Sequence, residues 1–417
     1  QIKSSPSLEY NRIVSYEYGE SYQYRYKTKT VDELGREIIS KYDAFGILSS
    51  TIDFNSCVTN NEKSVFGVDE KVLMPDGTQY VKAIRWALGN EYAPDNAAYY
   101  LWEKNTGNSE SLTFYHKSGC VLRTVTFDLD GKAIFVDKIY DDYGNVKQES
   151  LPYYHNEDKF FVANVFDENG RIVETLYPNG LVKNMVYDGN EVVTYITNTE
   201  GKRRSRKDVY NVLGLLMSTK DYGGNEILYD YYSDGLIKSV YVANNPNTRI
   251  TVTYDNCRNR KSLHDPNYGT TMYEYDALGN IKKIVNPKDA VVEFKYDNIG
   301  RMVSKIEKDV VLKDELTTTW IYDEQKGKQG LLKNIITSGG YQISYEYDDE
   351  LRLVSGTESI DGKQYKTLYS YDDANRIATK TYPSGLVVSK VYSNSGYEKE
   401  IYDVEDNRRL WRSGKTN

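Results

Sequence analysis

From Val291 to Tyr296 the chain alternates, with Val292, Phe294 and Tyr296 on one side and Val291, Glu293 and Lys295 on the other. A period of two with one apolar and one mixed side marks a half-buried strand. The pattern stops at Asp297-Asn298-Ile299-Gly300-Arg301 and apolar character resumes at Met302. The same events occur 21 residues earlier, where Tyr275-Asp276-Ala277-Leu278-Gly279-Asn280 leads into Ile281. Worn copies stand at Tyr42-Asp43-Ala44-Phe45-Gly46, Tyr140-Asp141-Asp142-Tyr143-Gly144-Asn145 and Phe166-Asp167-Glu168-Asn169-Gly170-Arg171. Others begin at Tyr187, Tyr210, Tyr231, Tyr254, Tyr322, Tyr347, Tyr371 and Tyr392, so from Tyr187 onward successive copies lie 21 to 26 residues apart. An internal repeat of this length decides the architecture before any other signal does.

Each position of Tyr-Asp-x-x-Gly-(Arg/Asn) has a mechanical reason. The Tyr ends a strand with its ring on the buried face, and the Asp side chain bonds backbone N–H groups two residues on, which starts a turn. Gly supplies the left-handed backbone that closes a short hairpin loop with a bulge. Midway through each repeat lies a second turn, as at Tyr177-Pro178-Asn179-Gly180, Asn286-Pro287-Lys288-Asp289 and Tyr382-Pro383-Ser384-Gly385. One repeat is therefore strand, turn, strand, turn, with neighbouring strands antiparallel. A unit this small cannot bury its Tyr face alone, so neighbours must stack, and a long meander twists with a fixed hand. The sequence predicts an all-β fold: one continuous curved antiparallel sheet with ladders of rings on one side.

Composition supports this. Tyr outnumbers Phe 41 to 10, which suits a sheet whose rings are buried while their hydroxyls reach water or a partner. Gly is frequent at 30 and Pro scarce at 9, giving many turns and few strand breakers. The stretch from about Phe54 to Glu110 is less regular, holding Trp86, Trp102 and an Ala-rich segment from Ala93 to Ala98. It reads as a divergent section of the same sheet with larger loops or a short helix, or else as a small separate domain. The expected organisation is a divergent section over 1–160 and a regular array over 161–417.

The balance of 53 Lys+Arg against 61 Asp+Glu, net −8, argues against nucleic acid as the general partner. The one basic cluster, Lys202-Arg203-Arg204-Ser205-Arg206-Lys207, is either a polyanion patch or a solvated hairpin edge whose charges resist edge-to-edge pairing. Cys57, Cys120 and Cys257 give no disulfide framework and no CxxC pair. No stretch approaches the roughly 18 apolar residues that span a bilayer. The opening Gln1-Ile2-Lys3 has no Met and no signal-peptide core, which suggests a piece of a larger chain or a mature form.

The search for chemistry returns no catalytic, cofactor or metal residue. His116, His155 and His264 lie far apart with no zinc spacing. Gly414-Lys415-Thr416 is not a P-loop tail, because Arg409 stands where a Gly is required. The acidic pairs Asp141-Asp142, Asp348-Asp349 and Asp372-Asp373 have the chemistry for glycoside hydrolysis or Ca²⁺ binding, but turn formation already accounts for all of them. The residues singled out are those of the repeat: Tyr42, Asp43, Gly46, Tyr140, Asp141, Gly144, Asp167, Gly170, Arg171, Tyr275, Asp276, Gly279, Tyr296, Asp297, Gly300 and Arg301.

These residues resemble the Rhs/YD-repeat family: bacterial Rhs proteins, the B and C components of Tc toxin complexes, wall-associated repeat proteins and the animal teneurins. The resemblance runs from Val31 to Tyr397 and is clearest from Phe166 on; Ser150-Leu151-Pro152-Tyr153 also looks like a stretch of the toxin-related branch. It implies a β-sheet spiral forming a hollow shell, which in toxin members encloses a variable C-terminal cargo. Asp265-Pro266-Asn267-Tyr268-Gly269 superficially resembles the family's Asp-Pro-x-Gly core region but has one residue too many and sits mid-array, so no cleavage site is carried over. The expected function is a non-catalytic shell segment of a secreted or surface-exposed toxin or delivery protein. Its partners would be the rest of the parent shell and a C-terminal toxin domain. The alternative is a carbohydrate-binding adhesin whose exposed Tyr and Trp stack on cell-surface sugars.

Overall fold

The computed structural model describes residues 2–4, 12–20, 23, 25–64, 68–309 and 314–414. Among them there is no α-helix, and 37 strands from Ile2–Ser4 to Arg409–Arg412 form one sheet in which each strand lies against its neighbours in the chain, with one exception at Tyr153–Tyr154. The hairpin loops therefore alternate between two rims. From Phe161 onward the Tyr-Asp turns line one rim and the intermediate turns line the other. Counting back through the meander puts turns 43–47, 116–120 and 141–145 on the Tyr-Asp rim, and turns 32–36, 53–57, 74–78 and 105–110 on the opposite one.

The pairing continues through 54–110 in strands Val58–Lys63, Asp69–Leu73, Gln79–Trp86 and Ala97–Asn105. Of the larger loops or short helix expected there, it is a loop that forms: residues 87–96 are irregular, and Ala97 and Ala98 open a strand. The basic cluster is not a hairpin edge either. Arg203–Tyr210 is an interior strand paired on both sides. Its charge is answered locally: Arg203 lies 3.5 Å over the Tyr195 ring, Arg206 pairs with Asp208 and Lys207 with Glu191.

The strand after the turn at Asp141 is broken at Leu151-Pro152. Both of its pieces, Val146–Ser150 and Tyr153–Tyr154, pair with Ala133–Tyr140, while Ser150 also faces Phe161 of the next strand. Beside this corner the loop 87–96 folds over the sheet and makes the one cluster of fully buried apolar residues among those described. Ala87, Leu112, Phe114, Val125, Phe135 and Tyr153 form it, with Tyr92, Tyr100, Trp102 and Phe127 packed around.

Elsewhere the sheet is a single layer. It exposes 26,600 Å², against about 16,500 Å² for a compact monomer of this mass. Among the described residues from Phe161 on, the buried hydrophobic residue is Val388, and the other buried side chains are small or acidic: Thr175, Asp208, Ser218, Ser239, Ser355, Ser395 and Asp403.

The sheet curls until its rims meet. Asn55 donates to the Gln329 carbonyl and accepts from the Gln329 N–H at 3.2 and 2.7 Å, across 274 residues. Asn375 donates to Asp76 at 2.7 Å, across 299 residues, and Arg376 to the Gly107 carbonyl at 2.8 Å, across 269. One revolution thus takes roughly 270–300 residues, and the intermediate-turn rim of the first revolution seats on the Tyr-Asp rim of the last.

Candidate functional site

The Tyr-Asp turn is one assembly repeated along the rim. In the copy at Tyr296, the Asp297 carboxylate accepts the Ile299 N–H at 3.1 Å and the Arg301 N–H at 2.8 Å with one oxygen, and the Arg301 guanidinium at 2.7 Å with the other. Asp167 repeats this with Asn169 and Arg171, and Asp276 with Leu278 and Asn280. Asp43 and Asp141 receive the same two backbone bonds. The backbone and side chain of Arg171 hold the Asp167 carboxyl below its ordinary range. Gly46, Gly144, Gly170, Gly279 and Gly300 all have φ between +73° and +85°, the left-handed region expected of them. The register shifts by one residue immediately before Tyr42, Tyr140, Tyr275 and Tyr296, which is the bulge that closes the loop.

The tyrosines differ from expectation. Tyr254, Tyr275, Tyr296 and Tyr347 are half-buried rather than buried, and they do not form a ladder of stacked rings. A one-layer sheet has nothing to close over them. The hydroxyls of Tyr275, Tyr296 and Tyr347, like those of Tyr42 and Tyr140, instead donate to a backbone carbonyl just past the previous turn on the same rim: Tyr42 to Lys27, Tyr140 to Val121, Tyr275 to Arg260, Tyr296 to Ile281 and Tyr347 to Leu332, at 2.8–3.0 Å. Ile281 lies outside the ladder with strand Val291–Tyr296, which begins at Lys283, so the hydroxyl completes a pairing that the backbone leaves open. Burial raises the Tyr296 and Tyr347 hydroxyl pKa, keeping both as donors. The face of the ring is covered by arginine from the preceding turn: Arg171 over Tyr187 at 4.3 Å, Arg301 over Tyr322 at 4.1 Å and Arg376 over Tyr392 at 4.2 Å.

A further part of the repeat went unread. Eight residues past the Tyr, a small hydroxyl side chain bonds across the strands to the residue before the Tyr. Ser239 donates to Asp230 and Ser355 to Glu346 at 2.7 and 2.6 Å, and Thr253–Ser262 and Ser370–Thr379 pair at 2.6 Å. Aligning the copies on Tyr shows Ser or Thr at 50, 218, 239, 262, 304, 355 and 379, a signal open to anyone looking for buried polar rather than apolar positions.

The densest polar cluster is at the corner. Asp137 takes hydrogen bonds from Arg123 at 2.6 and 2.9 Å, from Tyr153 at 2.6 Å and from Lys159 at 2.9 Å, while its N–H donates to Ser150. Burial opposes the charged carboxylate, but these donors outweigh it and lower its pKa to about 2. Every group in the cluster is satisfied, which makes it a clasp for the broken strand rather than a poised acid or base. It borders a cleft of about 990 Å³ between loop 93–96 and the turns at 116–120 and 141–144. A second cleft, about 1,220 Å³, lies between turns 128–133 and 154–157 and the last strand near Arg412.

The remaining candidates stay apart. His116 bonds Ser118, His264 bonds Thr270 and His155 lies beside Phe135. The three cysteines are free. No group of three or more potential metal ligands occurs among the described residues. Asp265 to Gly269 is an ordinary intermediate turn, with Gly269 at φ +102° against Pro287.

The geometry defines a class, the single-layer antiparallel repeat sheet curled into a spiral. No protein-family model matches the chain, and no curated protein sequence matches it. Solved structures do share the fold. A TcdB2–TccC3–TEV crystal structure superposes with a TM-score of 0.76 over 95% of this chain at 13% identity. TcdB2–TccC3 without its hypervariable C-terminal region gives 0.74 over 95% at 13%. A Photorhabdus luminescens Tc holotoxin pore with a TccC3 mutation gives 0.71 over 93% at 12%. The chain spans about a quarter of the length of these structures, 27% in each case. The fold implied by the YD-repeat resemblance is the fold observed, and no described helix is long and apolar enough to cross a membrane.

Proposed function

We propose that this chain is a wall segment of a larger YD-repeat shell, part of a secreted toxin or delivery protein, and that the shell encloses or presents a further domain. The observation that carries the reading is the seam. A sheet whose rims interlock after one revolution, through Asn55–Gln329, Asn375–Asp76 and Arg376–Gly107, is built as a closed wall. The repeat residues are largely consumed in making that wall, since the Asp of the turn caps its backbone, the Gly supplies its left-handed φ and most of the Tyr hydroxyls tether the neighbouring strand. The fold shared with the TcdB2–TccC3 chains supports the same reading.

The test is limited proteolysis of the full-length parent. The enclosed domain should resist protease while the wall is intact, and deleting residues 254–296 should expose it. Equal susceptibility of that domain with and without the wall overturns the proposal. So does glycoside turnover by the purified chain that is lost on replacing one acidic pair.

A further inference from the structure

The seam inside this chain uses only part of each rim. At Tyr371, where a facing rim is present, the residue three past the Tyr plugs it. Ala374 (three past Tyr371) seats so closely on Gly107 that a methyl group there would overlap it, and Arg376 reaches the Gly107 carbonyl. Gly396, in the next Tyr-Asp turn, is closed in the same way by Asn108 and the Gly107 carbonyl. Asn108 and Gly107 belong to the first revolution, so glycine here is needed for close approach as well as for φ.

Along the Tyr-Asp rim of the first revolution the same positions have no facing rim among the described residues. Phe45 is 70% exposed, Tyr143 92% and Leu213 69%, with Val212 beside it fully exposed; Cys257 is exposed too. Phe45, Tyr143, Leu213 and Cys257 are each the third residue past a Tyr, the position held by Ala374 in the seam. Arg171, the counterpart of Arg376, has a side chain 46% exposed against 27%. Chance scatter would put exposed apolar residues on many kinds of surface position. Here the six most exposed, Phe45, Trp86, Leu88, Tyr143, Val212 and Leu213, all lie on one rim, three of them at this turn position, while the opposite rim shows Tyr222 and Tyr268 at 64% and 59%; and the first rim continues directly into an interface whose partner is known. Glycines 144, 170, 214 and 279 of these turns have nothing within 4 Å of an added methyl, as open notches should.

We propose that the Tyr-Asp rim from Asp43 to Asn280 is a docking surface for the intermediate-turn rim of another revolution of the same kind of sheet, contributed by the parent polypeptide. The partner is specified chemically. It is a row of tight turns with glycine facing the apolar tips, and with backbone carbonyls facing Arg171 and its equivalents. The inference rests on the wall-segment reading and adds to it which rim is covered and by what.

Cys257 is a native reporter for the covered rim. Its reaction with N-ethylmaleimide, followed peptide by peptide by mass spectrometry, should be rapid in the 417-residue chain and about tenfold or more slower in the folded full-length parent. In the parent, Leu213→Arg should restore labelling toward the rate of the isolated chain, because it drives a charge into the seam. Equal rates in the two proteins overturn the proposal. So does protection of Cys257 in the 417-residue chain alone that grows with concentration, since the occupant would then be a second copy. Protease shielding of the downstream domain is read separately. A covered Cys257 with an unshielded domain sinks the enclosing function and leaves this interface standing.

Discussion

The stretch from Tyr92 to Tyr153 and the array from Phe161 onward are made of the same hairpins yet hold together by different physics. In the first, a loop folds over the sheet and Phe114, Val125 and Phe135 lose almost all contact with water. In the second there is no second layer, and what is buried is mostly serine, threonine and aspartate. The first has a small apolar core, and the second replaces a core with hydroxyl tethers, Asp-capped turns and arginines lying on rings. Apolar burial is worth about 25 cal/mol per Å² but needs two surfaces to meet. A one-layer wall must instead satisfy its backbone locally, at each turn, many times over. Stability in the array should then be spread along it, each repeat depending on its neighbours.

Four substitutions break or sharpen this contrast, and regional hydrogen exchange reads each of them without assuming a single unfolding transition. The largest effect belongs to the core: Phe114→Ala should cost about 3–5 kcal/mol, with protection lost across strands 97–140 and retained beyond 161. Uniform loss along the whole chain would mean the two regions are one cooperative unit.

Asp137→Asn comes next, at about 3 kcal/mol, because it leaves Arg123 and Lys159 without their shared anion. The native carboxyl titrates near 2, below its ordinary 3.8, so its contribution is complete above about pH 4 and is lost as pH falls through 2. That is worth about 2 kcal/mol over the window. In an acid titration the corner should lose protection between pH 4 and 2, and the Asn variant should be flat there.

In the array the effects shrink. Tyr296→Phe keeps the ring in place and deletes only the bond to the Ile281 carbonyl, so about 1 kcal/mol is expected, confined to the repeats around 281–302. A cost near that of Phe114→Ala would show a hidden second layer. The smallest change is a gain. Leu351 occupies the position of the turn glycine at φ +66°, and Leu351→Gly should stabilise its repeat by somewhat under 1 kcal/mol, the strain relieved less the added freedom of the unfolded chain. A loss on this substitution would mean the Leu351 side chain has a packing role that outweighs its backbone.

The sequence made the array legible because its physics is local. Asp297, Gly300 and Arg301 act on each other within five residues, so their spacing states their job. The ring positions were harder. Tyr296 reads as a buried residue only if a second layer is assumed, and the excess of Tyr over Phe was the clue that hydroxyls were wanted. The core around Phe114 lies in the section with the worst repeats, where the non-periodic loop 87–96 supplies the cover. The seam was invisible, since Asn55 and Gln329 are ordinary residues until a revolution of the sheet brings them together.

The hydroxyl tether also controls where the chain can grow. From Tyr42, Tyr187, Tyr231, Tyr275, Tyr296, Tyr347 and Tyr392 it reaches back 15 residues, but from Tyr371 it reaches 18, from Tyr140 19 and from Tyr322 20. The bond is unchanged at 2.8–3.0 Å in all ten. The extra residues lengthen the two strands of a hairpin away from the tether, toward the intermediate turn. Variation in strand length is thus vented to one side: the regular Tyr-Asp turns stay level like the cut edge of a ribbon, with the long turn 323–331 standing out from it toward Asn55, while the opposite rim is free to be ragged. An insertion introduced at an intermediate turn lengthens one hairpin and leaves its neighbours in register, and the turn after Tyr322 shows that a Tyr-Asp turn absorbs one too: Tyr322 pairs with Leu332, four residues further on than Met302 is from Tyr296, yet Tyr347 still reaches back 15 residues to Leu332.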